Sequence, residues 1–238
     1  MNYLNLFLLI LIGVYVLQGF HKGFLVSVGN TVGMAISWIV SFLFSPLMAN
    51  AIAEGSFYSF LLNFTEGSAR LFDQTQGHQL VSELSAHQIH QLVAQSEAAL
   101  PYPFASLIEG NMLEQAFQPQ AYITVADYFD FTIANVVVNI LAFLIIYIIA
   151  RVIISLLLNT VNYASPLPML KHCDGLAGGG VGFARGMFDM LSITMIIPVV
   201  LISMPVNIPL FDDLLSGSSI ATFFYGHNFL LEYISGVL

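Results

Sequence analysis

Residues 131–150 read FTIANVVVNILAFLIIYIIA, running from Phe131 to Ala150 without one Asp, Glu, Lys or Arg. A helix rises 1.5 Å per residue, so about 20 apolar residues cross a hydrocarbon layer about 30 Å thick. Outward from this stretch lie three more charge-free windows: Met1–His21, Gly23–Ala53 and Met190–Phe211. A formal charge at the bilayer centre costs about 2.5 kcal/mol or more, which explains why such windows are empty of charge. Charged residues make up only 8% of the chain, against about 25% in an average soluble protein. The sequence therefore predicts an all-α, polytopic integral membrane protein with about four transmembrane helices in two hairpins. The expected divisions are a first hairpin over 1–48, an extracytoplasmic helical insertion over 49–128, a second hairpin over 129–204 and an interfacial tail over 205–238.

The basic residues set the expected orientation, because cytoplasmic loops collect Lys and Arg whereas acids contribute little. Lys22 follows the first window, Arg151 ends the third, and Lys171 and Arg185 precede the fourth; only Arg70 lies elsewhere. Lys22 and the 151–185 stretch are thus expected in the cytoplasm, with both termini and the insertion outside. Nine acids lie between Gly23 and Ala150, so the formal charge of −9 sits mostly on the external side. That balance argues against nucleic acid as a partner and against adhesion to anionic lipid.

The first window is expected to be a retained helix rather than a cleaved signal. Its start, Met1-Asn2-Tyr3, has no basic residue, and Leu17–Phe20 offers no Ala-x-Ala site. Cys173 is the single cysteine, so no internal disulfide can form. His172 stands beside it, but neighbouring helical residues point apart.

Glycine spacing is the strongest local pattern. Beyond a break at Ser165–Pro168 comes Asp174, then Gly178, Gly182 and Gly186 at four-residue intervals. On a helix these three make one bare stripe that lets another backbone approach closely. Gly175, Gly179 and Gly180 widen it. Glycine costs a helix about 1 kcal/mol per residue relative to alanine, so the run calls for a packing partner. Gly29 and Gly33 form a second pair with that spacing, in the helix expected from Phe24 to about Leu47 and closed by Pro46. Gly19–Phe24 and Gly182–Met187 both read Gly-Phe-x-basic-Gly-hydrophobic, an echo compatible with two parallel repeats.

Chemistry-bearing residues are sparse. Glu83, His87 and His90 would share one face of an amphipathic helix expected over Leu80–Leu100, at i, i+4, i+7. Zinc accepts those ligand types, but on a wet face they are ordinarily solvated, and no metal or cofactor is expected. A second short helix is expected over Glu109–Phe117. No Gly-x-Ser-x-Gly, His-Glu-x-x-His or Walker loop occurs, so no enzymatic activity is expected. Arg185 and Asp189 stand one turn apart near the start of the last span, where Arg185 is expected to snorkel to the interface. Asn135 and Asn139 share a face of the third span and are expected to hydrogen-bond a neighbouring helix. The tail from Ser219 to Leu238 gathers Ile220, Phe223, Phe224, Leu230, Leu231 and Ile234 on one side, as a helix in the outer interface or packed on the spans would.

The two glycine-containing stretches resemble the colicin V production protein (CvpA) family. Its members open with an apolar helix running into a Gly-x-basic-basic-Gly-Phe-like turn, matched by Gly19, Lys22, Gly23 and Phe24. They also carry an Asp followed by glycines at every fourth residue and a basic residue near the last. Asp174, Gly178, Gly182, Arg185 and Gly186 fit that pattern. The segment from Ile208 to Leu231, with Ser219, Phe224 and Asn228, is similar to the family's C-terminal part. Asn5 stands where many members have Asp, and His21 occupies a commonly basic position. The resemblance covers both hairpins and the tail but not the insertion.

It implies a four-span bacterial inner-membrane protein, a non-enzymatic accessory factor for production or export of a colicin V-type toxin, or for envelope maintenance. Expected partners are the lipid bilayer and either a second copy or other membrane and envelope proteins. The alternative is a small oligomeric transporter or channel, enlarged through the glycine stripe.

Overall fold

A computed structural model describes residues 2–65, 74–97, 100–117, 123–160, 173–203, 215 and 217–238. Arg70, the Ser165–Pro168 break, Lys171, His172 and the start of the tail at Ile208 lie outside the described residues. The elements are α1 (Tyr3–Lys22), α2 (Phe24–Ala53), α3 (Ser56–Thr65), α4 (Gln74–Gly77), α5 (Ala86–Ser96), α6 (Phe104–Leu113), α7 (Val125–Thr160), α8 (Asp174–Thr194), α9 (Ile196–Ser203), α10 (Ser219–Gly226) and α11 (Phe229–Glu232). No strand occurs among the described residues; Leu80 and Thr124 form one isolated antiparallel bridge. Four helices are long and apolar enough to cross a membrane: Tyr3–Lys22, Phe24–Ala53, Val125–Leu158 and the near-continuous Asp174–Ile202. The protein is an all-α, multi-pass membrane protein.

Two spans exceed their expected lengths. α2 runs through Pro46 to Ala53 instead of closing there. Proline removes one backbone donor, and in a membrane helix nearby hydroxyls and adjacent turns absorb the loss. α7 begins at Val125 rather than Phe131, because Thr124 caps it: Asp127 Oδ2 accepts from the Thr124 N–H at 2.9 Å and from its hydroxyl at 2.7 Å.

The chain forms two compact units, and α2 and α7 contribute residues to both. The first comprises residues 1–44, 143–195 and 206–230. Its centre is the contact between α1 and α8. α10 packs on both of these helices. Asn5 of α1 reaches it: Asn5 Oδ1 accepts from Ser218 Oγ at 2.7 Å and from the Ile220 N–H at 3.1 Å. Asn228 Nδ2 donates to the Leu191 carbonyl at 2.7 Å and to Thr194 Oγ1 at 3.1 Å, fixing the segment between α10 and α11 to the end of α8. Trp38 donates from Nε1 to Ser192 Oγ at 2.8 Å and sets its ring edge-on to Phe188 and Phe229. The tail therefore holds two short helices rather than one, and α10 packs on the spans, one of the two arrangements expected. Phe223 leaves the expected apolar face and stacks on His227, exposed.

The second unit comprises 45–142, 196–205 and 231–238. α5 begins at Ala86, not Leu80, because Ser85 and Gln88 form a reciprocal capping box. Its apolar Ile89, Leu92 and Val93 are buried, and α5 packs on α6. α6 spans Phe104–Leu113, earlier than the expected 109–117; Pro103 opens it, and Gln115 at φ 48° lies beyond its end. Phe104, Ile108 and Met112 on α6, with Phe129, Ile133 and Ile140 on α7, are buried and supply the core.

Candidate functional site

The residues singled out in the sequence fall into two places in the first unit, a glycine contact and a polar cluster one turn beyond it. A Cβ built on Gly182 would strike the Tyr15 carbonyl oxygen, and one on Gly19 would strike the Gly178 carbonyl while lying 3.2 Å from the Cα of Gly182. One on Gly178 would fall 2.6 Å from the Gly23 carbonyl carbon, and one on Gly186 would fall 3.2 Å from the Tyr15 ring and 3.5 Å from the Ile12 Cα. The stripe on α8 is thus filled by α1 of the same chain. Backbone-to-backbone contact of this kind gains dispersion energy on both helices and offsets the intrinsic cost of the glycines.

Gly23 ends α1 at φ +80°, a conformation that disfavours a side chain. A Cβ there would run into the Asp174 carboxylate. Asp174 Oδ1 accepts the Phe24 N–H at 3.1 Å, so this acid at the start of α8 caps the start of α2. Ser27 completes the turn by donating to the Gly23 carbonyl at 2.7 Å. Lys22 is exposed at the same turn. The two echoing stretches are not equivalent in the fold: one breaks at Gly23, whereas Gly186 stays inside α8 and its neighbour Arg185 faces inward. Gly33 faces α7, where a Cβ would lie 2.9 Å from Ile154 and 3.0 Å from Leu158 side-chain atoms; Gly29, also on α2, is half-buried.

The polar cluster departs most from expectation. Arg185 does not snorkel: its side chain is 16% exposed, and its guanidinium sits 4.7 Å over the Tyr15 ring. A cation over an aromatic face is attracted by the ring quadrupole. Arg185 Nε stands 3.6 Å from Asp189 Oδ2, and Asp189 Oδ1 accepts the Tyr147 hydroxyl at 2.6 Å. Arg151 lies alongside α2 and donates from Nη1 to the Asn30 carbonyl at 3.2 Å. Tyr147 and Asn30 carried no signal as single residues. Only the packing of α1, α2 and α7 around α8 brings them to the charges.

In the second unit the three residues with metal-ligand chemistry, Glu83, His87 and His90, do not converge. Glu83 lies in a short 3-10 turn, Val81–Glu83, before α5, so it shares no helix with His87 and His90. His90 Nδ1 contacts Glu109 Oε1 at 2.9 Å and His87 Nε2 contacts Gln91 Nε2 at 3.0 Å. Among the described residues no three His, Cys, Asp or Glu side chains form a metal-sized group. Asn135 and Asn139 bond the extended C-terminal segment rather than a helix: Asn135 donates to the Gly236 carbonyl at 3.3 Å, and Asn139 to the Ser235 and Val237 carbonyls at 2.8 and 3.0 Å. Asn111 joins them on the Gly236 carbonyl at 3.0 Å. Tyr58 donates to Asn135 Oδ1 at 2.7 Å beside a cavity of about 300 Å³.

Fold and contacts define a multi-pass helical membrane protein with a glycine-mediated helix pair and a partly buried charged cluster. Comparison with protein-family models, curated proteins and solved structures finds no match.

Proposed function

We propose that this chain is a CvpA-like inner-membrane protein, a non-enzymatic accessory factor acting in toxin production or export or in envelope maintenance. The observation that carries this reading is the meeting of its two motif stretches. Gly19 and Gly23 lie against Gly178 and Gly182, and Asp174 holds the Phe24 N–H. Residues some 150 positions apart in sequence thereby make one structural unit, which is what a shared family signature requires. The proposed orientation places this turn, with Lys22, in the cytoplasm and both termini outside, following the distribution of Lys and Arg.

Crosslinking in native membranes through Cys173, exposed and the only cysteine, tests both parts. Impermeant reagents should reach Cys173 only after the membrane is permeabilised, and capture should recover an export machine or envelope-assembly proteins. Labelling of intact cells would reverse the orientation, and recovery of this chain alone would count against the accessory role. The second reading, a small oligomeric transporter or channel, is favoured by one observation: Asp189 is buried and Arg185 half-buried within a span, where ionisable groups are costly and ordinarily functional.

A further inference from the structure

The short helix α3 divides its surface into three strips. Tyr58 and Leu61, at i and i+3, turn toward the protein: Leu61 is buried, and the half-buried Tyr58 donates to Asn135 Oδ1 at 2.7 Å. Phe57 and Phe60, again at i and i+3, are 43% and 60% exposed, with their rings stacked and centroids 6.4 Å apart. Ser56, Ser59 and Asn63 form the third strip, and all three are exposed. Residues three and four apart are neighbours on a helix surface, so each set is continuous. A helix packed on a protein in water needs only two strips, one buried and one polar. The exposed aromatic strip calls for a second solvent.

The attachment to α7 supplies it. Asn135 lies in the span Val125–Leu158 and is buried. It stands five residues beyond Asp130, the last charge before the run from Phe131 to Ala150, or about 7.5 Å at 1.5 Å per residue. Tyr58 and Phe131 also line the same cavity. α3 is therefore tied beside the first turns of a charge-free stretch that crosses hydrocarbon. Only Glu54 and Gly55 separate it from the end of the span Phe24–Ala53. Leu47 near that end is exposed, as a lipid-facing residue is, and Glu54 is exposed in the turn that follows. In sequence, the aromatic strip thus continues a surface that lipid already covers. No Asp, Glu, Lys or Arg occurs in Ser56–Thr65, so attraction to a bilayer comes from apolar area and not from charge.

We propose that α3 lies in the membrane interface, at the face where α2 ends and α7 begins. Phe57 and Phe60 sit among lipid acyl chains there, and Ser59 and Asn63 turn toward water. The strip takes glycerolipid of either headgroup charge. Part of the insertion expected outside the bilayer is thereby a lipid-bound element. This goes beyond both functional readings, since it requires only the four spans.

Spin labels on Phe57→Cys, Phe60→Cys, Ser59→Cys and Asn63→Cys, each in a Cys173→Ser background, test it in the full chain in phosphatidylcholine liposomes. Collisions are measured with oxygen, which concentrates in hydrocarbon, and with a nickel chelate confined to water. The ratio of oxygen to nickel collisions is expected to be severalfold higher at the two aromatic positions than at the two polar ones. The same difference is expected when phosphatidylglycerol is mixed in. Equal ratios at all four positions would place the aromatic strip in water and overturn the proposal. Shielding of both aromatic positions from both reagents would put another protein or a second copy on the strip, and would overturn it too. So would a difference seen only with phosphatidylglycerol. Phe60→Cys, at the more exposed ring, carries the test alone if a label on Phe57→Cys disturbs the fold.

Discussion

Gly182 and Gly180 stand two positions apart on α8 and have opposite surroundings. A methyl on Gly182 meets the Tyr15 backbone, which cannot rotate aside, while nothing lies within 4 Å of one on Gly180. Alanine is the better helix former by about 1 kcal/mol, whereas overpacking costs about 1–3 kcal/mol. Gly180→Ala should therefore raise the thermal unfolding midpoint in detergent, and Gly182→Ala should lower it. Equal shifts in the two would remove the close contact from the account. The four-residue spacing of Gly178, Gly182 and Gly186 was legible in the sequence, because periodicity fixes which residues share a helix face. Which helix fills that face was not legible, since it depends on a contact with residues some 165 positions earlier. Arg185 was misread for a similar reason. Its distance from the interface suggested snorkelling, but the Tyr15 ring and Asp189 hold it inside.

At the scale of elements, hydrophobic length found the spans, while caps and local exceptions moved their ends. Thr124 starts α7 early, α2 passes through Pro46, and Ser85 rather than Leu80 opens α5. That last shift separates Glu83 from His87 and His90 and dissolves the metal pattern. Asn5 shows what a residue-by-residue reading misses. It stands where the resembled family often has Asp, and here its oxygen accepts from Ser218 Oγ and the Ile220 N–H at the start of α10. An aspartate oxygen would accept the same two donors. Asn5→Asp should thus keep wild-type stability, and Asn5→Leu should lose about 1–3 kcal/mol by stranding the buried Ser218 hydroxyl. Thermal unfolding in detergent checks both. Equal stability of Asn5→Leu and wild type would show that this tie holds nothing.

At the scale of the molecule, the account rests on the pairing of α1 with α8 within one chain. That pairing joins the two motif stretches, fills the glycine stripe and sets the Tyr15 ring against Arg185. A Cβ at Gly179 would lie 3.8 Å from the Phe20 Cβ, and disulfides join Cβ atoms about 3.5–4.5 Å apart. The direct measurement is oxidative crosslinking of Phe20→Cys with Gly179→Cys, in a Cys173→Ser background, in native membranes. The account predicts a disulfide within the monomer, seen as a faster-migrating band that reductant abolishes. Disulfide-linked dimers without the intramolecular form, or no disulfide in a fully inserted protein, would contradict it.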